Sequence, residues 1–432
     1  MRKALMDSFL WRGIYFATTL LLNICIVRIY EASQSGWIYF ISNNFYLVLL
    51  IGGLSLDSSV TYFSASKQIS HSKLALFSLT WPLLVSFFSM LCTGFLIYNN
   101  YISSDYIFLL VAGAAYTLGI SMTNFFTSLF YARHNFAMPN IYMSIVNICI
   151  IILIPFFAKG YWGLNKHQFL YIYFIQFIIQ GVGLAFIYLK NCAPIQGLQY
   201  PNSDEYKKLF RFAFIALSAN IAYYLIYRID YLFVEAWCSA KSLGNYVQAS
   251  KMGQFLLIFP SIISSTVYPH SAKENNPKLV KFILQMLNLF CVLYLFIFMV
   301  SYFVSHPLFV WIYGGTFDEM YLPFIILIPG ILFLSMHTIM AAYFGGKNKP
   351  FYNVISTSIG LVVVVIGDLF LIKPFGIAGA AFVSTLGYTT SFCVSLYLFF
   401  KITGSGFSDI FSSDTFKLRT YTSFFNSSSS SN

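Results

Sequence analysis

The fold class this sequence predicts is an all-α, polytopic membrane protein with about 12 transmembrane helices. Three observations predict it. Apolar stretches long enough to cross a bilayer follow one another with only short polar breaks, and a hydrocarbon core about 30 Å thick needs roughly 20 residues of helix. The composition is 58% hydrophobic, 20% aromatic and only 9% charged over 432 residues, with a mean hydropathy of +0.73, which is foreign to water-soluble globules. Lys and Arg recur in alternate breaks, in one phase from end to end. Helices are the spanning element because they close their backbone hydrogen bonds internally.

The expected spans follow in order. Span one, 9–30, carries Arg12, Asn23 and Arg28; it is too long for a signal-peptide core and lacks a small-residue cleavage site. Span two, 38–63, holds Gly52-Gly53 and Asp57, and span three, 74–98, holds Pro82. Gly52-Gly53 and Pro82 are candidate bends. Span four, 106–131, contains Asn124 and runs out at Tyr131-Ala132-Arg133. Span five, 139–158, opens on Pro139-Asn140 and carries Asn147; span six, 168–189, carries Gln176 and Gln180. Span seven, 209–233, holds Asn220, Arg228 and Asp230, and span eight, 245–268, holds Lys251. Span nine is 280–304. Span ten, 320–344, embeds Gly330 and His337; span eleven, 351–372, ends near Asp368; span twelve, 377–400, follows Gly376.

Orientation follows from the basic residues. One side takes Arg2, Lys3, Lys67, Lys73, Arg133, Lys190, Lys207, Lys208, Arg211, Lys273, Lys278, Lys281, Lys347, Lys349, Lys401, Lys417 and Arg419. The other takes only Lys159, Lys166, Lys241 and Lys373, with Glu31, Asp105, Asp318 and Glu319. Both termini are therefore expected on the cytoplasmic side. The formal charge of +11 is spread over these breaks, where it sets topology and meets anionic headgroups; no nucleic-acid partner is expected. The seven Cys are scattered, as at Cys25, Cys92, Cys149 and Cys393. Without Cys-x-x-Cys or Cys/His clusters they read as small buried hydrophobes, neither disulfides nor metal ligands.

The longest internal break, Asn191 to Tyr206, divides the chain into an N-terminal six-helix lobe (1–190), a cytoplasmic linker (191–206) and a C-terminal six-helix lobe (207–403). The Ser-rich segment 404–432 is expected to be a disordered cytoplasmic tail, on which the sequon Asn426-Ser427-Ser428 is accidental. The lobes share faint motifs. Tyr131-Ala132-Arg133 with Pro139-Asn140 parallels Tyr343, Gly345-Gly346-Lys347, Pro350 and Asn353; Gly160-Tyr161-Trp162-Gly163 parallels Gly376-Ile377-Ala378-Gly379. Two readings stand open: a parallel internal repeat, or small residues recurring at membrane-helix starts.

Three stretches carry a family resemblance. These are "PFIILIPGILFLSMHTIMAAYFGGKNKP" with "LIKPFGIAGAAFVSTLGY", then "RIDYLFVEAWCSAKSLGNYVQASKMGQFLLIFPSIISSTVYP" with Asp230, Gly244, Tyr246 and Pro269, and "WRGIYFATTLLLNICIVRIYEASQSGWIYFI". In that order and spacing the chain resembles polysaccharide flippases of the multidrug/oligosaccharidyl-lipid/polysaccharide exporter superfamily, nearest the Wzx-type O-antigen branch. The resemblance implies a MATE-like fold and flipping of undecaprenyl-pyrophosphate-linked oligosaccharide across the bacterial inner membrane. It also implies membrane lipids, a coupling ion (proton or sodium), and polysaccharide polymerase and chain-length proteins as partners. No cofactor and no enzymatic activity are implied.

A sugar diphosphate crossing hydrocarbon needs a wetted, cationic cavity, since unpaired polar groups there cost several kcal/mol each. Such a chamber is expected between the lobes. The substrate-binding candidates are Lys251, Arg28, Arg228, Arg12, Asp230, Asp57 and Asp368. Lys251 leads, because it lies roughly 10 Å inside the outer end of its span. Arg12 and Arg28 are equally read as snorkelling anchors. Arg228 and Asp230, two apart on a helix, do not face each other, so each needs a partner elsewhere; a structural pair of Asp230 with Lys251 or Arg28 is the competing reading. Asn23, Asn124, Asn147, Gln176, Gln180 and Asn220 read either as sugar ligands or as interhelical hydrogen bonds. His337 reads as structural.

Competing functions separate on sequence features. A multidrug antiporter wants an acid deep in span one or an acid cluster in one lobe, and span one carries Arg12, Asn23 and Arg28. Peptidoglycan-precursor flippases carry two additional helices, and the Lys67–Lys73 loop lacks the major-facilitator motif. An enzyme acting on lipid-linked sugars would need a large outer loop of reactive groups, whereas His306 to Glu319 offers only Asp318 and Glu319. No P-loop is present for ATP hydrolysis.

Overall fold

The computed structural model describes residues 2–98, 106–133, 135–160, 166–192, 197–271, 277–347 and 349–410. Asp105, Tyr161–Gly163, Lys273 and the tail from 411 on, with Lys417, Arg419 and the sequon, lie outside the described residues. The described residues are helical, with no strand among them: α1 Arg2–Gly53, α2 Leu56–Ala65, α3 His71–Tyr98, α4 Tyr106–Ala132, α5 Ala137–Ala158, α6 Lys166–Cys192, α7 Ser203–Trp237, α8 Ala240–Phe255, α9 Ile258–Ser271, α10 Pro277–Tyr313, a 3₁₀ turn Gly315–Met320, α11 Tyr321–Gly346, α12 Phe351–Thr403 and α13 Phe407–Ile410.

Nine of the described helices are long and apolar enough to cross a membrane. The last of them, α12, holds expected spans eleven and twelve, and α1 holds span one with the first part of span two, which is interrupted at Leu54-Ser55 (φ 52° and 53°) and resumes in α2. At 1.5 Å per residue a straight helix of 52 residues would reach about 78 Å, far beyond one hydrocarbon core. Accordingly α1 breaks at Glu31 (φ 58°, ψ −175°), and the 53-residue α12 breaks at Gly376 (φ 56°, ψ −140°). At the first break the freed Ala32 N–H is taken up by Thr316 Oγ1 at 3.2 Å. At the second, glycine supplies the left-handed φ without a Cβ penalty.

Span eight, expected to be continuous over 245–268, is interrupted instead. The helix stops at Phe255 and restarts at Ile258. Pro260 is the physical reason: lacking an N–H, it leaves the Leu256 carbonyl without its helical donor. Tyr294 Oη donates to that carbonyl at 3.3 Å, as buried backbone in a membrane requires.

Burial is inverted relative to a water-soluble protein. Leu83, Leu84, Phe87, Leu91 and Phe95 of α3 and Val292, Leu295, Phe296 and Phe303 of α10 point outward, while Asn147, Gln176, Gln180, Gln248, Asp230 and Asp368 are buried. Apolar side chains cost nothing against lipid, so polar groups are what the interior must satisfy. This is a multi-pass membrane protein.

Contacts group the chain into two compact units. The first comprises the N-terminus through Tyr30 and Ile38–Ile221; the second comprises Glu31–Trp37 and the chain from Ala222 onward. In the first unit, Phe77, Phe125, Phe126, Phe130 and Leu209 form part of one buried cluster. One crossing sets glycine against backbone: a Cβ at Gly119 would run into the Phe177 carbonyl, and one at Gly181 into the Gly119 carbonyl. Amides tie three helices together. Gln180 Nε2 donates to Asn147 Oδ1 at 3.0 Å, and Asn147 Nδ2 donates to Thr19 Oγ1 at 3.1 Å. Here Asn147 and Gln180 serve as interhelical bonds.

The start of α7 is a capping box. Glu205 N–H donates to Asn202 Oδ1 at 2.9 Å, and Asn202 N–H donates to Glu205 Oε2 at 2.7 Å. Lys73 Nζ adds bonds to both Glu205 oxygens at 3.1 and 2.9 Å. Glu205→Ala is expected to destabilise the first unit by about 1 kcal/mol, read as a lowered thermal midpoint of the purified protein without loss of transport.

In the second unit Gly244 packs on the Ala32 backbone, Gly330 on Thr385, and Gly360 on Gly387 and Ser391. The two halves of α12 thus lie against each other. His337 is held between Ser395 Oγ (2.8 Å) and Thr357 Oγ1 (3.3 Å), which fits its reading as structural.

Candidate functional site: a charged cluster in the second unit

Four of the seven sequence candidates meet in the second unit: Arg228, Asp230, Lys251 and Asp368. Helix α7 supplies Arg228 and Asp230, α8 supplies Lys251, and the first half of α12 supplies Asp368. Arg228 Nη2 donates to Gln254 Oε1 at 2.7 Å, and its Nη1 donates to Tyr231 Oη. Its guanidinium also lies 4.9 Å from the Tyr231 ring centre. Gln254 is one turn beyond Lys251, so one face of α8 brings an ammonium and an amide to the guanidinium. Arg228 and Lys251 lie within electrostatic reach of each other.

Asp230 turns away from that pair. Its Oδ2 accepts hydrogen bonds from Tyr246 Oη and from Ser384 Oγ at 2.9 Å, while its Oδ1 has no hydrogen-bond partner. Asp368 is 0% exposed, and neither of its carboxylate oxygens has a hydrogen-bond partner. Close helix contact places it there: a Cβ at Gly367 would meet Val383, and one at Gly379 would meet the Leu371 carbonyl, so Asp368 lies beside the segment that carries Ser384. Asp230 and Asp368 feel each other's charge, as do Asp230 and Arg228.

The order of charges is thus Lys251, Arg228, Asp230, Asp368. Burying one ion in a membrane interior costs roughly 2.5–3.5 kcal/mol on insertion scales, and three carboxylate oxygens here receive no protein donor. Such an oxygen-only set suits a proton or a hard cation. Among the described residues no three His, Cys, Asp or Glu gather as for a transition metal.

The other three candidates lie in the first unit. Arg12 stacks its guanidinium 4.6 Å from the Tyr131 ring centre and 5.8 Å from that of Phe136, with Nε buried and lacking a hydrogen-bond partner. Arg28 is exposed. Asp57 opens α2, and its carboxylate accepts from the backbone N–H groups of Asp57 and Ser58, the geometry of a helix N-terminus.

Sequence reasoning missed Tyr231, Gln254 and Ser384 as members of the cluster. For the first two a signal existed: each is three residues from a candidate cation on the same helix. Ser384 had none, since it reaches Asp230 only through the fold. Near the expected outer face, Lys241 pairs with Asp318 at 2.7 Å and Glu319 at 3.5 Å, and the hydrogen bond it donates to Asp318 holds its pKa above the ordinary lysine value.

Comparison with known proteins fits this architecture. Residues 134–322 match the family model described as "Polysaccharide biosynthesis protein". A curated relative, "Probable low-salt glycan biosynthesis flippase Agl15" of Haloferax volcanii, is 22% identical over 198 residues, 45% of this chain and 42% of that protein. The chain thus spans less than half the length of the curated relative it matches. Among solved structures, lipid II flippase MurJ in an inward closed conformation superposes with a TM-score of 0.71 at 15% identity, covering 95% of this chain and 89% of that one. The Vibrio cholerae MATE transporter VcmN in the bent form gives 0.64 at 14% identity, with 94% and 97% covered. An outward-facing multidrug resistance MATE transporter of the MOP superfamily gives 0.67 at 12%, with 93% and 96% covered. These relatives are named as transporters and flippases. The chain has the fold of the MurJ and MATE transporters, and across residues 134–322 it carries the sequence pattern of a polysaccharide biosynthesis protein.

Proposed function

We propose that the chain is a flippase that moves a lipid-linked oligosaccharide, of the O-antigen or a related surface-polysaccharide type, across the bacterial inner membrane. The observation that carries this reading is Arg228 beside Lys251 in a membrane interior. Two adjacent cations repel each other in low dielectric, and a diphosphate is the ligand whose charge rewards keeping them together. The glycan flippase named among the relatives and the lipid II flippase among the structures support the substrate class. Arg12 and Arg28, in the first unit, are further candidates for substrate contact there.

Transport proceeds by alternating access of the two six-helix lobes 1–190 and 207–403, with both termini cytoplasmic and the prenyl tail remaining in lipid. Asp230 and Asp368 take the coupling ion, proton or sodium. A polysaccharide polymerase and chain-length proteins act on the delivered units. Deletion is expected to make cells accumulate lipid-linked repeat units on the inner face. Unchanged distribution of those units between the leaflets would end the proposal.

A second reading has its own observation. A carboxylate pair within one unit is what a cation-coupled multidrug antiporter wants, and Asp230 with Asp368 is such a pair. An antiporter would expel a cationic dye such as ethidium in exchange for the ion; the flippase reading expects no efflux above an empty-vector control.

A further inference from the structure

We infer that the expected cytoplasmic end of the first unit carries a phosphate-binding site built from Lys67, His71, Arg133 and the buried hydroxyl of Tyr188. These groups come from the turn between α2 and α3 and from the ends of α4 and α6. The site goes beyond the flippase reading and does not depend on it.

Packing brings the four groups together. Phe63, Ile69, Leu74, Phe130 and Tyr188 are buried in one cluster. The Tyr188 ring is fixed by Phe130, edge-on at 5.1 Å and 88°, and by Phe126 at 5.7 Å. Over it lies the Arg133 guanidinium, 5.8 Å from the ring centre. His71 opens α3, and its Nδ1 is held by Ser64 Oγ at 3.1 Å, so Nε2 is the ring nitrogen available to a ligand. Lys67 stands in the turn before α3 with a left-handed φ of 56°. Lys67 and Arg133 are both exposed, and both lie within electrostatic reach of His71.

Two independent observations call for an anion here. The charges that act on His71 are both positive, and among the described residues no carboxylate pairs with Lys67, His71 or Arg133. Glu205, the acid that reaches α3, is taken by Lys73. Separately, Tyr188 is 0% exposed, and its Oη has no hydrogen-bond partner. A buried hydroxyl without an acceptor is costly, and Lys and Arg cannot supply one because they only donate. A phosphate provides both missing things. Its oxygens accept from Tyr188 Oη, from the guanidinium fork and from the ammonium at once, and its charge balances the cations. The first amides of α3, ahead of its opening bond from Leu74 N–H to the Ser70 carbonyl at 3.1 Å, add donors of the same kind. Closing the C-terminus of α4 would account for Arg133. It accounts for neither the lysine, the histidine nor the unpaired hydroxyl.

The test is binding to the purified full-length protein at fixed pH and ionic strength, with two probes. Fluorescent phosphatidic acid in phosphatidylcholine micelles is followed by polarisation, and inorganic phosphate by phosphorus NMR line broadening. Both are measured in the wild type and with Arg228→Gln and Lys251→Met present, so that the cations of the second unit do not contribute. Arg133→Gln and Lys67→Gln are each expected to weaken binding roughly tenfold. Tyr188→Phe keeps the ring packing and removes only the hydroxyl, and is expected to weaken it roughly fivefold. Lys207→Gln, an exposed cation of α7 outside the site, is expected to change nothing. Monodispersity by size exclusion certifies folding of every variant. Binding of the lipid alone assigns the phosphate to a membrane headgroup, and binding of inorganic phosphate assigns it to a soluble anion. A Tyr188→Phe protein that binds like the wild type reduces the site to a surface of basic charge and overturns the inference. Unchanged binding in Arg133→Gln and Lys67→Gln, or failure of both probes to bind, overturns it as well.

Discussion

Removing the charges of Arg228 and Lys251 together is expected to reduce flipping of lipid-linked glycan by roughly 100-fold or more, if each charged hydrogen bond to the diphosphate contributes about 1.5–3 kcal/mol. Arg228→Gln with Lys251→Met is the informative pair, since Gln keeps a donor for Tyr231 or Gln254 and Met keeps the apolar stem. Export in cells and transfer between leaflets in proteoliposomes are the readouts, with protein abundance measured alongside. Arg228→Lys should fall between, because an ammonium keeps the charge but loses the planar fork that grips Gln254 and Tyr231 at once. Undiminished flipping in the double variant would return both residues to a structural role. Lys251→Ala alone should impair export at unchanged protein level.

Gly119→Leu is expected to abolish accumulation of folded protein. A Cβ at this position would already overlap the Phe177 carbonyl, and across the same crossing Gly181 abuts the Gly119 carbonyl. Backbone cannot yield as a side-chain tip can, so α4 and α6 must separate. Overpacking in ordinary cores costs about 1–3 kcal/mol, and this site lies beyond that case because the obstruction is main chain. In a membrane the loss is compounded, since close van der Waals packing is a principal force between helices. Gly119→Ala should show a smaller defect of the same kind. Expression as a fluorescent fusion, scored by size exclusion, checks both. A monodisperse Gly119→Leu protein at wild-type level would mean that α4 and α6 can part without cost.

These two predictions differ in how far the sequence could have foretold them. Arg228 and Lys251 stand out in any reading, because ions are scarce in apolar spans and each demands an explanation. Gly119 and Gly181 do not, because glycine is common in membrane helices and only the crossing of α4 with α6 shows which ones touch backbone. The break in span eight lies between these cases. Pro260 is plain in the sequence, but proline is tolerated inside α3, α5, α10 and α11, and Tyr294 is what makes an actual break affordable here. Asn147 and Gln180 were legible as polar residues in a membrane, and their choice between sugar and interhelical bond was made by the positions of Thr19 beside Asn147 and of Asn147 beside Gln180.

By itself the sequence determined the environment and the class of structure. Twenty-residue apolar runs in water-excluded surroundings have to be helices, and the phase of Lys and Arg gives the expected sidedness, because both are local properties of the chain. Only the tertiary structure decided which ions meet. Asp230 and Asp368 come from the seventh and last long helices, and they share a site because Gly360, Gly367, Gly379 and Gly387 let the two halves of α12 pack closely beside α7. Electrostatic energy depends on distance through space, and a linear pattern of residues carries no record of it.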